Sequence, residues 1–261
     1  MSLTQPGIPD VVAHRGNAAD YPENSLPALR SACELGVPWV EFDVQLTRDL
    51  VPVLLHDESL ARTAGIARSV HEMSWQQIEE LRANESARFE GRYTDVGIPK
   101  LSQAVDLLQA FPETSAFVEL KRSSLRRFGP EVVVARVYEA LGDLTGRFVM
   151  ISFDLPAIHH ARRTVNAPIG WVLSHYDTVT ALKCEALTPD YLFCDYTILP
   201  ADDSRLWRGP WQWVLYEIPS LAVAMQLAAR GAALIETMRV RELLREIRSL
   251  RALRRDGGAA E

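Results

Sequence analysis

The chain has 261 residues, 48% of them hydrophobic and 24% charged, with a formal net charge of −6. That balance describes a globular protein with ample core, and the length suits one (β/α)8 barrel, which needs about 250 residues. The mild acidity gives no support for a nucleic-acid surface or for attraction to anionic lipid, and no apolar run approaches a membrane span, so no stable membrane association is expected. Cys33, Cys184 and Cys194 are widely spaced with no CxxC pair, which argues against a disulfide framework or zinc site and fits a reducing, cytoplasmic compartment. MSLTQPGIPDVVAHRG at the start has no charged n-region and no apolar h-region, so no signal peptide is read there.

The first short apolar run, residues 11–14, ends in His14-Arg15-Gly16. A strand that breaks into a polar, glycine-containing turn is how a barrel strand delivers groups to its C-terminal rim. His14 is a candidate general acid or base there, and Arg15 a candidate phosphate clamp. Asn24 or Ser25 can cap a helix running to about Leu35.

Next comes WVEFDVQLTRDLVPVLLHD, residues 39–57, around which the chain is organised. As a strand over 39–45 it puts Glu41 and Asp43 on one face, with Val40, Phe42 and Val44 on the other. Either acid alone reads as a solvated carboxylate on a half-buried strand. Side by side they repel unless something positive lies between them, and a hard divalent cation meets that need. LTRD (46–49) reads as a turn, and Val51–Leu55 then runs into His56.

From about 57 to 100 the strand–helix alternation lapses, and the segment reads as an excursion inserted after the second strand, with a helical stretch over 71–85. Such loops usually carry specificity. Surface solvation is the expectation for His71, Arg88 and Arg92 within it. The alternation resumes with a helix over 101–110 and a strand over 116–121 that ends in Glu119 and Lys121, again at i and i+2. Strands at 148–152, 169–173, 191–194, 213–217 and 233–236 follow, separated by helices over 130–141, 155–164, 179–186, 201–206 and 220–230 and closed by a final helix. Eight strands alternating with helices predict an α/β (β/α)8 TIM barrel with a small inserted subdomain, one domain over residues 1–261.

In such a barrel all strand C-termini meet at one rim, so His14, Arg15, Glu41, Asp43, His56, Glu119 and Lys121 would converge. Three carboxylates make a site for one divalent cation, Ca²⁺ or Mg²⁺; zinc is disfavoured because acids outnumber histidines. Arg15 and Lys121 offer charge to a phosphoryl oxygen, and two histidines can divide proton transfer.

VAHRG (12–16), PENS (22–25), EFDVQLTRDLVPVLLHDESLARTA (41–64), IPKL (98–101) and VELK (118–121) closely resemble the glycerophosphodiester phosphodiesterases. SFD (152–154) and RGAALIET (230–237) resemble that family more weakly. The resemblance implies hydrolysis of a small phosphodiester substrate to sn-glycerol 3-phosphate and an alcohol. It implies Glu41, Asp43 and Glu119 as metal ligands, His14 and His56 as the acid–base pair, and Arg15 and Lys121 as holders of the phosphate. His56 takes the general-acid role and His14 the general-base role, with either water or the substrate's own 2-hydroxyl, by way of a cyclic phosphate, as nucleophile. Two departures fall late: Glu217 stands near a position where many members carry Asn, and Thr237 is followed by Met238 where many carry Asp. They bear on the alcohol-side pocket, for which Phe153, Trp171 and Trp213 are candidate linings, packed core being the equal alternative. The competing readings are a lysophospholipase D-like enzyme on the same barrel, a non-catalytic barrel that binds phosphorylated metabolites, and a metal-dependent lyase or isomerase, which usually wants its base on a later strand.

Overall fold

A computed structural model describes residues 7–144 and 146–257. The N-terminal reading therefore falls partly, over residues 1–6, outside the described residues. Nine strands are present among those described: β1 (Asp10–Ala13), β2 (Trp39–Leu46), β3 (Pro52–Leu54), β4 (Ser115–Leu120), β5 (Phe148–Ser152), β6 (Ile169–Leu173), β7 (Tyr191–Asp195), β8 (Gln212–Tyr216) and β9 (Ala232–Thr237). All except β3 pair in parallel, in the order β1-β2-β4-β5-β6-β7-β8-β9, and β9 returns to β1. This is a closed (β/α)8 barrel. The ninth strand, not expected from the sequence, is the return arm of a hairpin: β3 runs antiparallel to β2, with Val44 opposite Leu54.

Side-chain alternation divides the barrel into two cores. Val12, Phe117, Val149, Ile151, Val172, Phe193, Val214 and Leu234 fill the interior. Val11, Ala13, Val40, Phe42, Val44, Val118 and Leu120 point outward, into the layer between strands and helices. The expected split of β2 is therefore observed. Phe117 closes the lower barrel, stacked on Trp39 at 4.4 Å and meeting Phe193 edge-on at 4.9 Å. Burying aromatics of this size is worth roughly 1.5–3 kcal/mol each, so the barrel floor is held together by apolar packing, with the site's polar groups above it.

The helices over 26–34, 101–109, 130–140, 155–165, 178–187, 221–230 and 240–257 lie close to the expected spans. Ser25 caps the first, its Oγ accepting from the Ala28 N–H. A helix over Arg122–Phe128 was not anticipated. The expected helix over 201–206 does not form. Asp202 accepts the Ser204 N–H and Ser204 gives its carbonyl to Arg230, so this Asp- and Ser-rich stretch spends its backbone groups on local side chains. A single 3₁₀ turn, Tyr196–Ile198, stands nearby.

The segment from Asp57 to Lys100 packs Leu60, Val70, Met73, Ile78, Ala83 and Ile98 into one apolar cluster with Val53 and Leu55 of the preceding hairpin arm. The expected helix over 71–85 is broken into single turns at Val70–Glu72 and Trp75–Ile78. Met73 between them is extended and its carbonyl accepts the Arg48 N–H, so no helix can run through it. His71 is buried rather than solvated: its Nε2 lies 3.2 Å from Gln45 Oε1 and 3.1 Å from Ser124 Oγ. No helix among the described residues is long and apolar enough to cross a membrane.

Candidate active site

The interior face that carries apolar residues low in the barrel carries acids higher up. On β2 it runs Trp39, Glu41, Asp43; on β4 it runs Phe117, Glu119 and then Lys121 just beyond the strand. Asp43 and Glu119 are register partners. β1 leads into His14, β9 supplies Glu236, and β8 ends at Tyr216 and Glu217. His56 enters from the segment after β3. His14, Arg15, Glu41, His56, Glu119, Lys121, Tyr216, Glu217 and Glu236 line one cavity whose apolar wall is Ile151, Phe153, Val172 and Phe193. All seven residues singled out in the sequence thus converge, Asp43 lying directly behind the rim through its contacts with Arg15 and Lys121. Of the three candidate linings, Phe153 lines the cavity. Trp171 and Trp213 belong to the outer, helix-facing core.

Three non-glycine residues at this rim hold left-handed backbone: Arg15 (φ 54°), Asn24 (φ 54°) and Glu217 (φ 63°). Such strain costs about 1–3 kcal/mol and is kept only where contacts over-determine it. Those contacts are visible. Gly16 follows Arg15 at φ 78°, and a Cβ there would lie 2.6 Å from the Ala28 carbonyl carbon, so the turn presses directly on the first helix. The Arg15 N–H donates to Glu41 Oε2 at 3.1 Å. Asn24 grips Asp43 twice, donating from Nδ2 to its carboxylate and accepting its backbone N–H.

A chain of ion pairs orders the basic groups. Arg15 lies 3.2 Å from Asp43 Oδ2 and 3.1 Å from Glu23 Oε1. Glu23 also receives both terminal nitrogens of Arg62, whose Nε donates to Asp57 at 2.6 Å. Asp57 in turn lies 2.6 Å from His56 Nδ1, which leaves Nε2 as the unengaged ring nitrogen. The Glu23 N–H is fixed by Glu85, another residue of the 57–100 segment. That segment therefore does more than overhang the site: it anchors the histidine.

Burial sets the electrostatics. It pushes the His14 imidazole down to about 3, reinforced by Arg15, so His14 is neutral at ordinary pH. Burial opposes ionisation of Asp43, yet Lys121 and Arg15 overcome it and hold this carboxyl well below its ordinary range. Glu41 moves the other way: burial first, then Asp43, Glu236 and Glu119, raise it well above the usual carboxylate range. Glu236 is raised well above it by burial and by Glu119 and Asp43. Lys121, 3.0 Å from Asp43 and 2.9 Å from Glu119, is held cationic. The site holds more acid than its own cations balance, and a divalent ion would supply the difference.

Two triads can offer one ligand atom each with all such atoms within 4.8 Å of one another: Glu41–Asp43–Glu119, and His14–Glu41–Glu236. The first is all oxygen, the donor set a hard cation takes, and Glu41 Oε1 in it is buried without a hydrogen-bond partner. Sequence reasoning did not single out Glu236, Glu23, Asp57 or Arg62 for the site. Glu236 left one usable trace, an acid at i+2 from Leu234 on the interior face of an otherwise apolar strand. The Arg62–Glu23 pair spans 39 positions and left none.

Comparison with known proteins agrees with this geometry. The profile of the glycerophosphoryl diester phosphodiesterase family matches residues 14–181. Mouse glycerophosphodiester phosphodiesterase 1 is 29% identical over 175 residues, covering 63% of this chain and 50% of that protein. A Caldanaerobacter subterraneus glycerophosphodiester phosphodiesterase is 36% identical over 98 residues, 38% of this chain and 40% of that one. A human lysophospholipase D is 32% identical over 110 residues, 42% of this chain and 35% of its own length. The chain spans about half the length, or less, of these relatives. Among solved structures, an Oleispira antarctica phosphodiesterase in complex with the product sn-glycerol-3-phosphate superposes with a TM-score of 0.78, at 22% identity, over 93% of this chain and 97% of that one. With the rim residues of β1, β2 and β4 all inside the matched span, the chain belongs to the glycerophosphoryl diester phosphodiesterase family.

Proposed function

We propose that this protein hydrolyses glycerophosphodiesters to sn-glycerol 3-phosphate and an alcohol, with one divalent cation, Ca²⁺ or Mg²⁺, held by Glu41, Asp43 and Glu119. The observation that carries the reading is a single cavity in which an all-oxygen triad, two histidines and two fixed cations meet. When bound, the cation supplies positive charge to the phosphoryl oxygens. Arg15 and Lys121 bind the same oxygens from the protein side, and being already fixed by Asp43, Glu23 and Glu119 they lose little freedom in doing so. Neutral His14 takes a proton from the attacking oxygen, which is either water or the substrate's 2-hydroxyl; in the second case the step yields a cyclic phosphate, which water then opens to sn-glycerol 3-phosphate. As the new P–O bond forms and the ester P–O bond breaks, His56 gives a proton to the departing alkoxide, with Asp57 fixing its ring.

The reading treats residues 1–261 as one unit including the insertion at about 57–100, because Arg62 and Glu85 of that insertion bind Glu23 beside the cavity. It sets the protein in the cytoplasm, which its three free, buried cysteines suit. The similarity to a human lysophospholipase D favours lysophospholipids as the second substrate class.

The test is coupled release of glycerol 3-phosphate from glycerophosphocholine in EDTA and with Ca²⁺, Mg²⁺ or Mn²⁺ restored. Metal-restored release that His14→Ala and His56→Ala abolish is the expected result. No release with any metal would overturn the glycerophosphodiester assignment, and release of choline from lysophosphatidylcholine would then favour the second class.

A further inference from the structure

The scheme above leaves one buried acid unused. Glu236 is 3% exposed, faces the cavity, and its Oε1 has no hydrogen-bond partner. Beside it Glu41 Oε1 is also buried and unpartnered, while His14 Nδ1, on the far edge of its ring, lies 3.6 Å from Glu217 Oε1. His14 Nε2 lies 3.9 Å from Glu41 Oε2 and 4.0 Å from Glu236 Oε1. Among the described residues, His14 is the one basic side chain within ion-pair distance of Glu236. Burying an unpaired carboxylate is costly, and two buried carboxylate oxygens left unsatisfied, with the His14 Nε2 edge facing both carboxyl groups, are what a cation would satisfy.

We propose that His14 Nε2, Glu41 and Glu236 form a second cation site, adjoining the Glu41–Asp43–Glu119 triad and sharing Glu41 with it. Its donors differ in kind from those of the first site. One imidazole with two carboxylates suits a transition-metal ion such as Mn²⁺ or Zn²⁺, whereas an all-oxygen triad suits Ca²⁺ or Mg²⁺. Donor atoms near 4 Å apart can each reach one ion over bonds of about 2.0–2.2 Å when the angle between them is wide. An ion on Nε2 takes the lone pair that the proposed base uses to accept a proton. Occupation of this site and proton transfer through Nε2 therefore exclude each other, which makes turnover responsive to transition-metal supply.

The proposal rests on the reading above only through the shared Glu41, and its test needs no substrate. The 261-residue wild type, Glu236→Gln and Glu119→Gln are dialysed against Mn²⁺ and their bound manganese is counted, with thermal unfolding run on each as a check of the fold. Two equivalents in wild type and one in each variant are expected. A count that Glu236→Gln leaves unchanged, or a single equivalent in wild type, overturns the second site. So does a Glu119→Gln protein that binds none. A second measurement stands if Glu236→Gln fails to fold: the electron paramagnetic resonance of Mn²⁺-loaded wild type. Spin-coupled lines are expected from two ions bridged by Glu41, and an uncoupled single-ion spectrum overturns the proposal. Two ions counted in a protein that releases no glycerol 3-phosphate would leave this site standing and remove the substrate assignment alone.

Discussion

Asp43 and Glu119 stand opposite each other across β2 and β4, and the Lys121 ammonium closes the gap, 3.0 Å from one carboxylate and 2.9 Å from the other. In the metal-free protein this ammonium does what a cation would do. Lys121→Met should therefore destabilise the protein in EDTA, by roughly 3–5 kcal/mol as for other broken buried pairs. Ca²⁺ should restore most of that loss, since the same two carboxylates then have a different partner. Turnover should stay down by about 10²–10³-fold even with Ca²⁺ present, because the charge on the phosphoryl oxygens is not replaced. Thermal unfolding with and without Ca²⁺, beside initial rates, checks both halves. An equal loss of stability in the two conditions would mean Lys121 and the ion do not share a place.

The link from His56 through Asp57 and Arg62 to Glu23 predicts a graded series. His56→Ala removes the proposed acid and should cost roughly 10²–10⁴ in kcat. Asp57→Asn keeps the ring but loses the carboxylate 2.6 Å from Nδ1, and should cost about 10- to 100-fold with KM little changed. Arg62→Met acts one step further out and should cost less than either. Steady-state rates on glycerophosphocholine would measure all three. An Asp57→Asn enzyme with wild-type kcat would remove Asp57 from the positioning role.

The strands were legible in the sequence because a period of two is a strong signal where one face is apolar. That signal put Glu41 and Asp43 together and, with Glu119 and Lys121, marked the rim. Glu236 stayed hidden because a single acid in ALIET has no partner in its own strand; its partners, His14 and Glu41, belong to β1 and β2. The internal structure of the insertion was illegible for a different reason. Its turns at Val70–Glu72 and Trp75–Ile78 are each too short to show a helical period, and the cluster beneath them is assembled from contacts far apart in sequence. β3, three residues long, was too short to separate from its hairpin.

Gly170 tests the packing of the barrel floor. A Cβ there would lie 2.8 Å from Ile151 Cγ2 and 3.2 Å from Phe193, both interior residues held between strands. Neither is the loose end of a long chain, so the strand must shift to admit a methyl group. Gly170→Ala should cost about 1–3 kcal/mol. Urea unfolding should show a lower midpoint at unchanged slope. Wild-type stability would show that the interior yields more readily than the distances imply.

The acid cluster predicts how stability varies with pH when no metal is present. Burial, with neighbouring carboxylates, holds Glu41 and Glu236 well above their ordinary 4.5, and burial raises Glu119 as well. The folded protein then keeps protons that the unfolded chain has already released, so their contribution falls as pH rises towards and through the folded values. His14 acts in the opposite sense. With its folded value near 3 against 6.5 unfolded, it makes stability rise with pH between those limits and adds no slope above 6.5. Above 6.5 the raised carboxylates dominate the contribution of this cluster. In EDTA the unfolding temperature should therefore decline as pH is raised from 6.5, and Glu236→Gln should decline less steeply than wild type. Saturating Ca²⁺ or Mn²⁺ should flatten or reverse the slope, because the ion replaces protons on those carboxylates. A wild-type profile in EDTA that is level above 6.5 would show that Glu41 and Glu236 are already ionised in the metal-free fold, and the charge they carry would then need a partner other than a proton.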